Sequence, residues 1–375
     1  MKTKAAIVYK FGEPVVVEEI EVRPPKESEL LIKIAASGIC HSDYSVMTGT
    51  IPHDLPEVLG HEGAGTVVEL GPGTEGYQVG DRVMLPFVSS CGKCERCVSG
   101  HPTLCEVHFS GKRGTLIDGS RRFHKGDRDI YQFSRLGTLS EYTVVHTNSV
   151  LPLPDGYTFE HAALLGCGVT TGVGAVTRTA KVPAGATVAV IGCGGVGLNV
   201  IQGARLAGAS KIIAIDQVSS KLDQAVQFGA TDCINSKDAD AVEAVKNLTD
   251  GKGVNFAFEA IGLSVTIEMA YNMLSIGGNA VIIGITGVRD TITIPAVLIP
   301  VWERKLTGSF FGSCLPSEDM PYLLNLYRQK KLMLDELVSK YYELEEINQA
   351  FSDMEIGENI RGMVLFEKEE SDVGN

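Results

Sequence analysis

The sequence predicts an α/β protein with two domains, a barrel-like β domain followed by a doubly wound parallel sheet. Short apolar or alternating runs, separated by turn residues, fill the first third of the 375-residue chain. From about residue 160 onward, Val/Ile-rich runs alternate with segments of helical length. The chain is also longer than most single domains, which favours two.

The β domain is predicted from closely spaced strand-like runs. These runs are AAIVY, VVVEEI, LLIKIAASGI, GTVVEL, DRVML and EYTVV. Turn signals such as Pro24-Pro25 and Gly71-Pro72-Gly73 separate them. Short glycine-punctuated strands with few helices between them are typical of a compact barrel.

The second half of the chain predicts a series of βαβ units. The strand-like runs are TVAVIGC, KIIAID, CINS, VNFAFEAIG and NAVIIGI. The helical segments between them are GLNVIQGARLAG, SSKLDQAVQFG, ADAVEAVKNLTD and SVTIEMAYNML. This order implies a parallel sheet with helices on both faces, and Val/Ile-rich strands fit burial on both sides.

The alternation ends near residue 312, where two helical stretches and a final strand, GMVLFEK, follow. These elements are predicted to return to the first domain. The expected limits are therefore 1–165 plus 313–375 for the β domain, and 166–312 for the parallel-sheet domain.

Composition excludes several classes of function. The net charge of −13 and the pI of about 5.1 argue against binding nucleic acid or an anionic membrane through a basic surface. The one basic-looking stretch, 112–135, also carries acids and predicts a solvated loop. No apolar run reaches the roughly 18 residues of a membrane span. Unpaired cysteines and no export signal at the N-terminus predict a cytoplasmic protein.

Four of the nine cysteines lie close together, in the segment CGKCERCVSGHPTLC. The thiolates of Cys91, Cys94, Cys97 and Cys105 can complete a tetrahedral shell around Zn²⁺. A closed four-sulfur shell has no open position, so this metal would be structural. An iron–sulfur cluster and disulfides are the alternatives. The bacterial ferredoxin comb, however, ends with a shorter gap and a proline, and disulfides suit small secreted domains.

A glycine-rich turn follows the strand VAVI and opens a helix. It comprises Gly192, Gly194, Gly195, Val196 and Gly197. The first glycine permits a tight turn, the second lets backbone approach a pyrophosphate, and the last lets helix and strand pack closely. Because the motif has a strand before it and a helix after it, it predicts a Rossmann dinucleotide site.

The acid at the end of the next strand indicates which dinucleotide binds. Asp216 ends KIIAID, where a carboxylate accepts hydrogen bonds from the adenosine ribose hydroxyls. It would repel a 2′-phosphate, since one like-charge pair at ~4 Å costs roughly 4 kcal/mol at an effective dielectric near 20. The sequence therefore predicts NAD rather than NADP.

Three further residues offer metal-ligand atoms. Cys40 lies in SGICHSD, His61 in LGHEGAG and Cys167 in LLGCGVTTG. Two cysteines and one histidine would leave a fourth zinc position open for substrate. No spacing rule links residues so far apart. Taken singly, a lone cysteine is usually a small core residue, and a lone histidine is more often part of a hydrogen-bonded structure than a ligand.

The motifs GHEGAG, CGKCERC, GCGVTTG and GCGGVG with Asp216, taken together, resemble those of zinc-dependent medium-chain alcohol dehydrogenases. The resemblance extends from SGICHSD to ENIRGMVLF. It implies a GroES-like barrel, a Rossmann coenzyme domain, two zinc ions per chain and NAD. It also implies the ligands of a catalytic zinc, which are Cys40, His61 and Cys167, with Glu62 as an acid that approaches the metal.

Supporting roles are also implied by the resemblance. Asp43 would hold the His61 ring, and Ser42 would pass on the alcohol proton. Family members often have a histidine three residues beyond this serine, but here the position is Ser45, so the terminal base of the relay is unassigned. The remaining cofactor contacts would be His41, Lys221, Ile285 and Arg361.

The implied substrate wall is apolar and comprises Ile51, Phe87, Phe133 and Phe310. Ile51 replaces an acid of relatives that oxidise glutathione adducts, which favours a hydrophobic primary alcohol. The alternatives are a thiol adduct such as S-hydroxymethylglutathione, a polyol, a CoA-linked alcohol, or a non-catalytic NAD-binding protein. The long segment 110–137 and an edge strand in DTITIPAVL predict a homodimer, with a tetramer second.

Overall fold

Strands dominate the first part of the chain and then alternate with helices, as the sequence predicts. The computed structural model describes residues 1–110 and 112–366. The strands are β1 (Lys2–Val8), β2 (Val16–Val22), β3 (Glu29–Gly38), β4 (Glu57–Val58), β5 (Glu62–Leu70), β6 (Arg82–Leu85), β7 (Phe123–Lys125), β8 (Arg128–Gln132), β9 (Tyr142–His146), β10 (Leu151–Pro152), β11 (Thr187–Ile191), β12 (Lys211–Asp216), β13 (Asp232–Asn235), β14 (Val254–Glu259), β15 (Leu274–Ile282), β16 (Lys305–Gly308), β17 (Lys340–Tyr342) and β18 (Gly362–Leu365).

The α-helices lie where the periodicity changes from two residues to between three and four. They are α1 (His41–Thr48), α2 (Glu95–Val98), α3 (Glu106–Phe109), α4 (Phe159–Leu165), α5 (Gly168–Gly174), α6 (Gly195–Leu206), α7 (Ser219–Phe228), α8 (Ala241–Leu248), α9 (Ser264–Asn272), α10 (Leu298–Trp302), α11 (Pro316–Arg328) and α12 (Ile347–Ile356). A π-helical turn, Ala175–Ala180, follows α5 and was not predicted.

The described chain divides into two units. The first comprises residues 1–100, 104–167 and 334–366, and the second comprises 101–103 and 168–333. Residues 313–333, which the sequence assigns to the first domain, lie in the second unit because α11 contacts α5 and because Arg178 pairs with Asp319 of α11 at 2.6 Å.

The first unit contains a closed barrel and a second sheet. The barrel order is β1-β2-β7-β8-β4, and the second sheet runs β10-β6-β5-β3-β18-β17 with β9 also paired to β3. Strand β3 is apolar on both faces, and Leu30, Ile32 and Ile34 are fully buried. Its burial between three partner strands positions its carboxyl end, Gly38, opposite Glu62 of β5.

The stretch 112–135 is not the solvated loop that its charge suggests. It forms the hairpin β7–β8, which closes the barrel against β2 and β4. Arg122 is buried and makes two hydrogen bonds to the Glu29 carboxylate, at 2.8 and 2.6 Å. A buried arginine requires such pairing, and the partner is too distant in sequence for composition to reveal it.

The second unit is built on a parallel sheet in the order β13-β12-β11-β14-β15-β16. The strands pair in parallel throughout, which confirms the predicted βαβ architecture. The segment 290–298 forms no ladder within the described chain, and β16 is the edge strand instead. In the described residues we find no helix with the length and apolar character that a membrane crossing requires.

Candidate active site

Four buried side chains with metal-ligating atoms converge in the first unit. They are Cys40, His61, Glu62 and Cys167, and their ligand atoms all lie within 4.8 Å of one another. Cys40 directly precedes α1, and Cys167 follows α4. His61 and Glu62 stand at the start of β5. The structure therefore brings together the three ligands and the nearby acid that the family resemblance implies.

The donor set of this cluster fits zinc. Two sulfurs and one imidazole are preferred zinc ligands, and three protein ligands leave a position for substrate. A hydrogen bond from Cys167 lowers the pKa of Cys40 well below its usual range, and the charges of His61 and Arg361 act in the same direction. The same hydrogen bond, together with burial, raises the pKa of Cys167. The two cysteines thus differ in acidity, and a bound cation would favour the thiolate form of both.

Asp43 orients the His61 ring. The Nδ1 atom of His61 lies 3.2 Å from Asp43 Oδ2. Asp43 also accepts hydrogen bonds from the backbone N–H groups of Gly60 and Cys40, at 2.8 and 3.3 Å. Burial opposes protonation of His61, but the charge and hydrogen bond of Asp43 raise the pKa of the imidazole well above its usual range. Because the carboxylate accepts from Nδ1–H, Nε2 is the nitrogen left to bind a metal.

Glu62 carries a buried carboxyl group beside the cluster. A Cβ atom at Gly38 would lie 2.2 Å from Glu62 Oε2, so a larger residue there would force the Glu62 carboxyl group to move. Burial raises the pKa of the Glu62 carboxyl to about 7, against the opposing charge of Arg361. Among the described residues, neither oxygen of Glu62 accepts a well-directed hydrogen bond. A carboxylate with unfilled lone pairs fits the predicted acid that approaches the metal.

Arg361 lies behind this cluster and is only 5% exposed. Its Nη1 atom is 3.1 Å from Glu62 Oε1 and donates to the Ile39 carbonyl at 3.1 Å. Burial lowers the pKa of Arg361, but the charges of Glu62 and the two cysteines raise it further than burial lowers it. The contact of Arg361 with a cofactor pyrophosphate therefore stays a prediction. Its side-chain contacts in the structure are with Glu62 of the cluster and with the Ile39 carbonyl.

The predicted proton-relay serine is adjacent to the cluster. Ser42 Oγ lies 3.8 Å from Cys40 Sγ, in the first turn of α1. Ser45 follows three residues later and therefore lies on the same side of the helix. His41 is exposed at the start of α1. These positions are compatible with the roles implied for Ser42 and His41 but do not test them.

Two aromatic rings flank the His61 ring. Phe87 and Phe133 both stand edge-on to it, with centroids 5.8 and 5.1 Å away. Ile51 is half-buried on the loop after α1. The other two predicted wall or cofactor residues, Ile285 and Phe310, belong to the second unit. An apolar environment therefore adjoins the cluster on the His61 side.

Cys91, Cys94, Cys97 and Cys105, called the comb below, have the geometry of a closed zinc site. The Sγ atoms of Cys91 and Cys97 are 4.0 Å apart, and those of Cys94 and Cys105 are 3.9 Å apart. Zn–S bonds of about 2.3 Å in a tetrahedron place sulfurs ~3.8 Å apart. Backbone N–H groups lower the pKa of the Cys94 thiol to about 6, against the effect of burial. The four sulfurs are therefore arranged for a structural zinc, as predicted.

An arginine that the sequence analysis assigned to a solvated loop connects the comb to the aromatic wall. Arg135 donates to the carbonyls of His108, Ser110 and Thr115, at 3.1, 2.7 and 2.9 Å. His108 in turn accepts from the backbone N–H of Ser89, two residues after Phe87. Arg135 thus stabilises the comb lobe, residues 91–110. The sequence pattern gives no signal of this role.

In the second unit, the glycine-rich turn has the conformation that its sequence predicts. Gly192 has a φ of +92°, and a Cβ atom at Gly197 would lie 1.7 Å from the Gly192 carbonyl oxygen. A Cβ at Gly194 would meet no atom within 4 Å. The tight turn and the helix–strand approach thus need glycine for steric reasons, whereas Gly194 faces open space that a phosphate could occupy.

Asp216 is held at the same turn. Its Oδ2 atom accepts from the Cys193 N–H at 2.8 Å, and its Oδ1 atom accepts from the N–H groups of Gln217 and Val218 at 2.7 and 3.0 Å. Lys221 follows in the first turn of α7. The backbone thus fixes the carboxylate at the end of β12 beside the glycine-rich turn, which is the position predicted for a ribose contact.

Comparison with known proteins agrees with this architecture. Residues 26–155 match the alcohol dehydrogenase GroES-like domain, and residues 195–329 match the zinc-binding dehydrogenase domain. An NDMA-dependent alcohol dehydrogenase of Amycolatopsis methanolica is 39% identical over 368 residues, which cover 97% of this chain and 99% of that protein. An S-(hydroxymethyl)glutathione dehydrogenase of Synechocystis is 42% identical over 371 residues, covering 98% and 100% of the two chains.

A solved structure gives the same result. The benzyl alcohol dehydrogenase of Acinetobacter calcoaceticus superimposes with a TM-score of 0.92 at 33% identity, over 98% of this chain and 100% of that chain. The shared domains, the full-length similarity and the two sulfur-rich clusters give one consistent assignment. The protein is an oxidoreductase, and its chain belongs to the zinc-binding alcohol dehydrogenases of the medium-chain dehydrogenase/reductase family.

Proposed function

We propose that the protein oxidises a hydrophobic primary alcohol, aliphatic or aromatic, to its aldehyde with NAD⁺ as the hydride acceptor, and catalyses the reverse reduction. The observation that carries this proposal is the buried cluster of Cys40, His61 and Cys167 beside the aromatic rings of Phe87 and Phe133. Such a site combines an open zinc position with an apolar environment for the substrate.

The chain's own residues have distinct roles in this reaction. A zinc ion held by Cys40, His61 and Cys167 would lower the pKa of the alcohol hydroxyl and polarise the aldehyde carbonyl. Asp43 keeps His61 in the ligating tautomer. Ser42 would relay the hydroxyl proton of the substrate, accepting it as its own hydroxyl proton passes onward to water or to a base.

The preference for an uncharged substrate rests on the wall beside His61. Phe87, Phe133 and Ile51 offer apolar surface and no charge to the substrate. A glutathione adduct is the main alternative, because a 42% identical relative bears the name S-(hydroxymethyl)glutathione dehydrogenase. We expect a higher kcat/KM for benzyl alcohol or hexanol than for S-hydroxymethylglutathione, and the opposite order would favour the alternative.

The decisive experiment is a panel of alcohols tested with and without added NAD⁺, with zinc counted per chain. We expect NADH formation and two zinc ions. A relative is named for its dependence on NDMA, so turnover with that acceptor and without added NAD⁺ would show that the cofactor is tightly held. No turnover in zinc-replete protein with either acceptor would contradict the proposed function.

Replacing Asp216 with asparagine is expected to weaken the preference for NAD⁺ over NADP⁺. The substitution preserves the size of the side chain and removes the charge that would repel a 2′-phosphate. The repulsion is ~4 kcal/mol at an effective dielectric near 20. Loss of only half of it would change the NAD⁺/NADP⁺ preference by more than tenfold, since each ~1.4 kcal/mol is a factor of ten. The ratio of kcat/KM for the two cofactors measures the change.

The matched control for this substitution is Asp223→Asn, an exposed position on α7 of the same unit. It removes the same charge without touching the turn and should leave the cofactor ratio unchanged. If Asp216→Asn preserves the wild-type ratio, Asp216 does not select the cofactor.

We also infer that the protein forms a homodimer through the edge of its parallel sheet, with a tetramer as the second possibility. The edge strand β16 is preceded by exposed apolar residues, and Val297, Val301 and Trp302 are 62%, 65% and 37% exposed. An unpaired strand edge beside apolar surface favours pairing with a second copy about a two-fold axis. Sedimentation equilibrium of the wild-type protein tests this.

A further inference from the structure

A histidine–glutamate pair lies next to the aromatic wall of the first unit. His53 Nδ1 is 3.0 Å from Glu57 Oε2 and 3.2 Å from Oε1. Glu57 is fully buried in β4, and the His53 side chain is 9% exposed. Burial raises the pKa of Glu57, while His53 acts in the opposite direction. The two residues are four apart, with His53 in the loop before β4 and Glu57 in β4, and this spacing carries no signal in the sequence.

Ring contacts connect this pair to the candidate metal-binding cluster of Cys40, His61, Glu62 and Cys167. The His53 ring stands edge-on to Phe133, with centroids 5.3 Å apart. Phe133 in turn stands edge-on to His61, with centroids 5.1 Å apart. His53 and the candidate metal ligand His61 therefore contact the same phenyl ring. The His53 imidazole is therefore a polar group beside the otherwise apolar wall of Phe87 and Phe133.

One nitrogen of His53 is available to a ligand. Glu57 accepts from Nδ1–H, which fixes the ring orientation and leaves Nε2 as the second polar atom. Within residues 1–110 and 112–366, Nε2 has no hydrogen-bond partner. Because the His53 ring is 9% exposed and Nε2 is not among the fully buried unpartnered atoms, Nε2 is accessible, and the hydroxyl of a bound molecule could take the place of water there.

A purely structural role explains this arrangement less well. Burying a carboxylate costs several kcal/mol unless its partner compensates, and an apolar pair of similar volume is often as stable. Anchoring of the loop alone therefore does not require Glu57. Among the neighbouring charges, Asp54 pairs with Lys112 at 3.3 Å and Arg113 donates to the Pro52 carbonyl, while the charges of Asp43 and Asp54 add to the effect of burial on the pKa of Glu57.

We propose that His53 determines substrate specificity by binding a second hydroxyl group at the far end of the alcohol, and that the preferred substrates are aromatic alcohols with a ring hydroxyl. This inference rests on the proposed alcohol oxidation and narrows its substrate class. A hydroxyl matches the site because it can donate to a neutral Nε2 and accept from a protonated one. A para-substituted benzyl alcohol has its two oxygens on opposite sides of one aromatic ring, which would let it extend along Phe133, the ring that both His61 and His53 contact.

The test compares 4-hydroxybenzyl alcohol with benzyl alcohol in one enzyme preparation. The ratio of their kcat/KM values is independent of the active fraction, so partial misfolding of a variant does not affect it. We expect the wild type to prefer the hydroxylated substrate by about tenfold, the worth of one good hydrogen bond. In His53→Leu this preference should fall to about one, with benzyl alcohol oxidised at a comparable or higher rate.

Two further variants make the result specific. His53→Leu combined with Glu57→Gln avoids leaving a buried unpaired charge and should show the same lost preference. His124→Leu is the matched control, because His124 also pairs with a glutamate, Glu21 at 3.0 Å, but on the barrel strand β7. This control should keep the wild-type ratio.

The possible outcomes separate this inference from the proposed function. If the wild type oxidises benzyl alcohol without favouring the hydroxylated substrate, the role of His53 is wrong and the proposed function stands. The role is also wrong if His53→Leu preserves the wild-type preference. If neither alcohol is oxidised by zinc-replete protein with any acceptor, the proposed function itself fails.

Discussion

Cys40→Ala is expected to lose one of two zinc ions per chain and at least about 10³-fold in alcohol oxidation. The substitution removes a sulfur that lies within 4.8 Å of every other ligand atom of the cluster. A zinc ion acting on the substrate oxygen is worth several kcal/mol, and each ~1.4 kcal/mol is a factor of ten in rate. Elemental analysis and kcat/KM for benzyl alcohol measure the two losses.

Cys314→Ala is the matched control for this variant. Cys314 is also a buried cysteine, 1% exposed, but it lies in the second unit and belongs to neither sulfur cluster. The control should bind two zinc ions and retain the wild-type rate. NADH binding, followed by fluorescence, should be preserved in both variants because the glycine-rich turn is unchanged.

Retention of two zinc ions and of wild-type turnover in Cys40→Ala would show that the buried cluster is not a metal site. Loss of both zinc ions together with the far-ultraviolet circular dichroism signal would indicate unfolding instead. In that case Ser42→Ala, which removes no ligand, provides the second measurement. It should keep two zinc ions and lose activity.

The fold could be predicted because most of its elements have local signals. Strands β11, β12 and β14 and the helices between them follow from apolar runs and periodicity, and the turn at Gly192 follows from its glycines. The comb was also predictable, since its four ligands lie within fifteen residues. In each case, the residues that interact are close in sequence.

The candidate catalytic cluster could not be derived in this way. Cys40, His61 and Cys167 lie in three separate segments, and only the pairing of β3 with β5 and the packing of α4 bring them together. Family resemblance supplied what spacing could not. The position of Arg361 beside Glu62 is likewise a tertiary effect, because β18 pairs with the end of β3.

The charge of a segment wrongly predicted solvent exposure where the partner of a charged residue lies far away in the sequence. Arg122 and Arg135 belong to a stretch whose composition predicts a solvated loop, yet both are buried. Arg122 is neutralised by Glu29 on β3, and Arg135 is solvated by three backbone carbonyls. A buried arginine without a sequence-local acid cannot be recognised from the sequence, because the cost of burying it is offset only in the folded state.

Cys97→Ala is expected to release the structural zinc and to open the comb lobe, residues 91–110, locally. This lobe has little core of its own, since Val98, Leu104 and Phe109 are 71%, 43% and 59% exposed. Its helices α2 and α3 have four residues each and are too short to be stable alone. The metal therefore replaces a hydrophobic core in holding the lobe together.

Hydrogen exchange measures this opening directly. The backbone N–H groups of Cys91 and Cys94 donate to sulfurs of the comb, both at 3.3 Å. These amides should exchange on the order of 10³-fold faster in Cys97→Ala, since loss of a structural metal belongs to the most destabilising class of substitutions, above ~4 kcal/mol. Amides of β3 should remain protected.

The neighbouring substitution Val98→Ala serves as the control, because Val98 is exposed and adjacent to Cys97. It should keep two zinc ions and the wild-type exchange rates. Because His108 and Arg135 connect the lobe to the segment that follows Phe87, Cys97→Ala should also raise the KM for benzyl alcohol. Unchanged protection of the comb amides with one zinc lost would mean that packing, rather than the metal, holds this lobe.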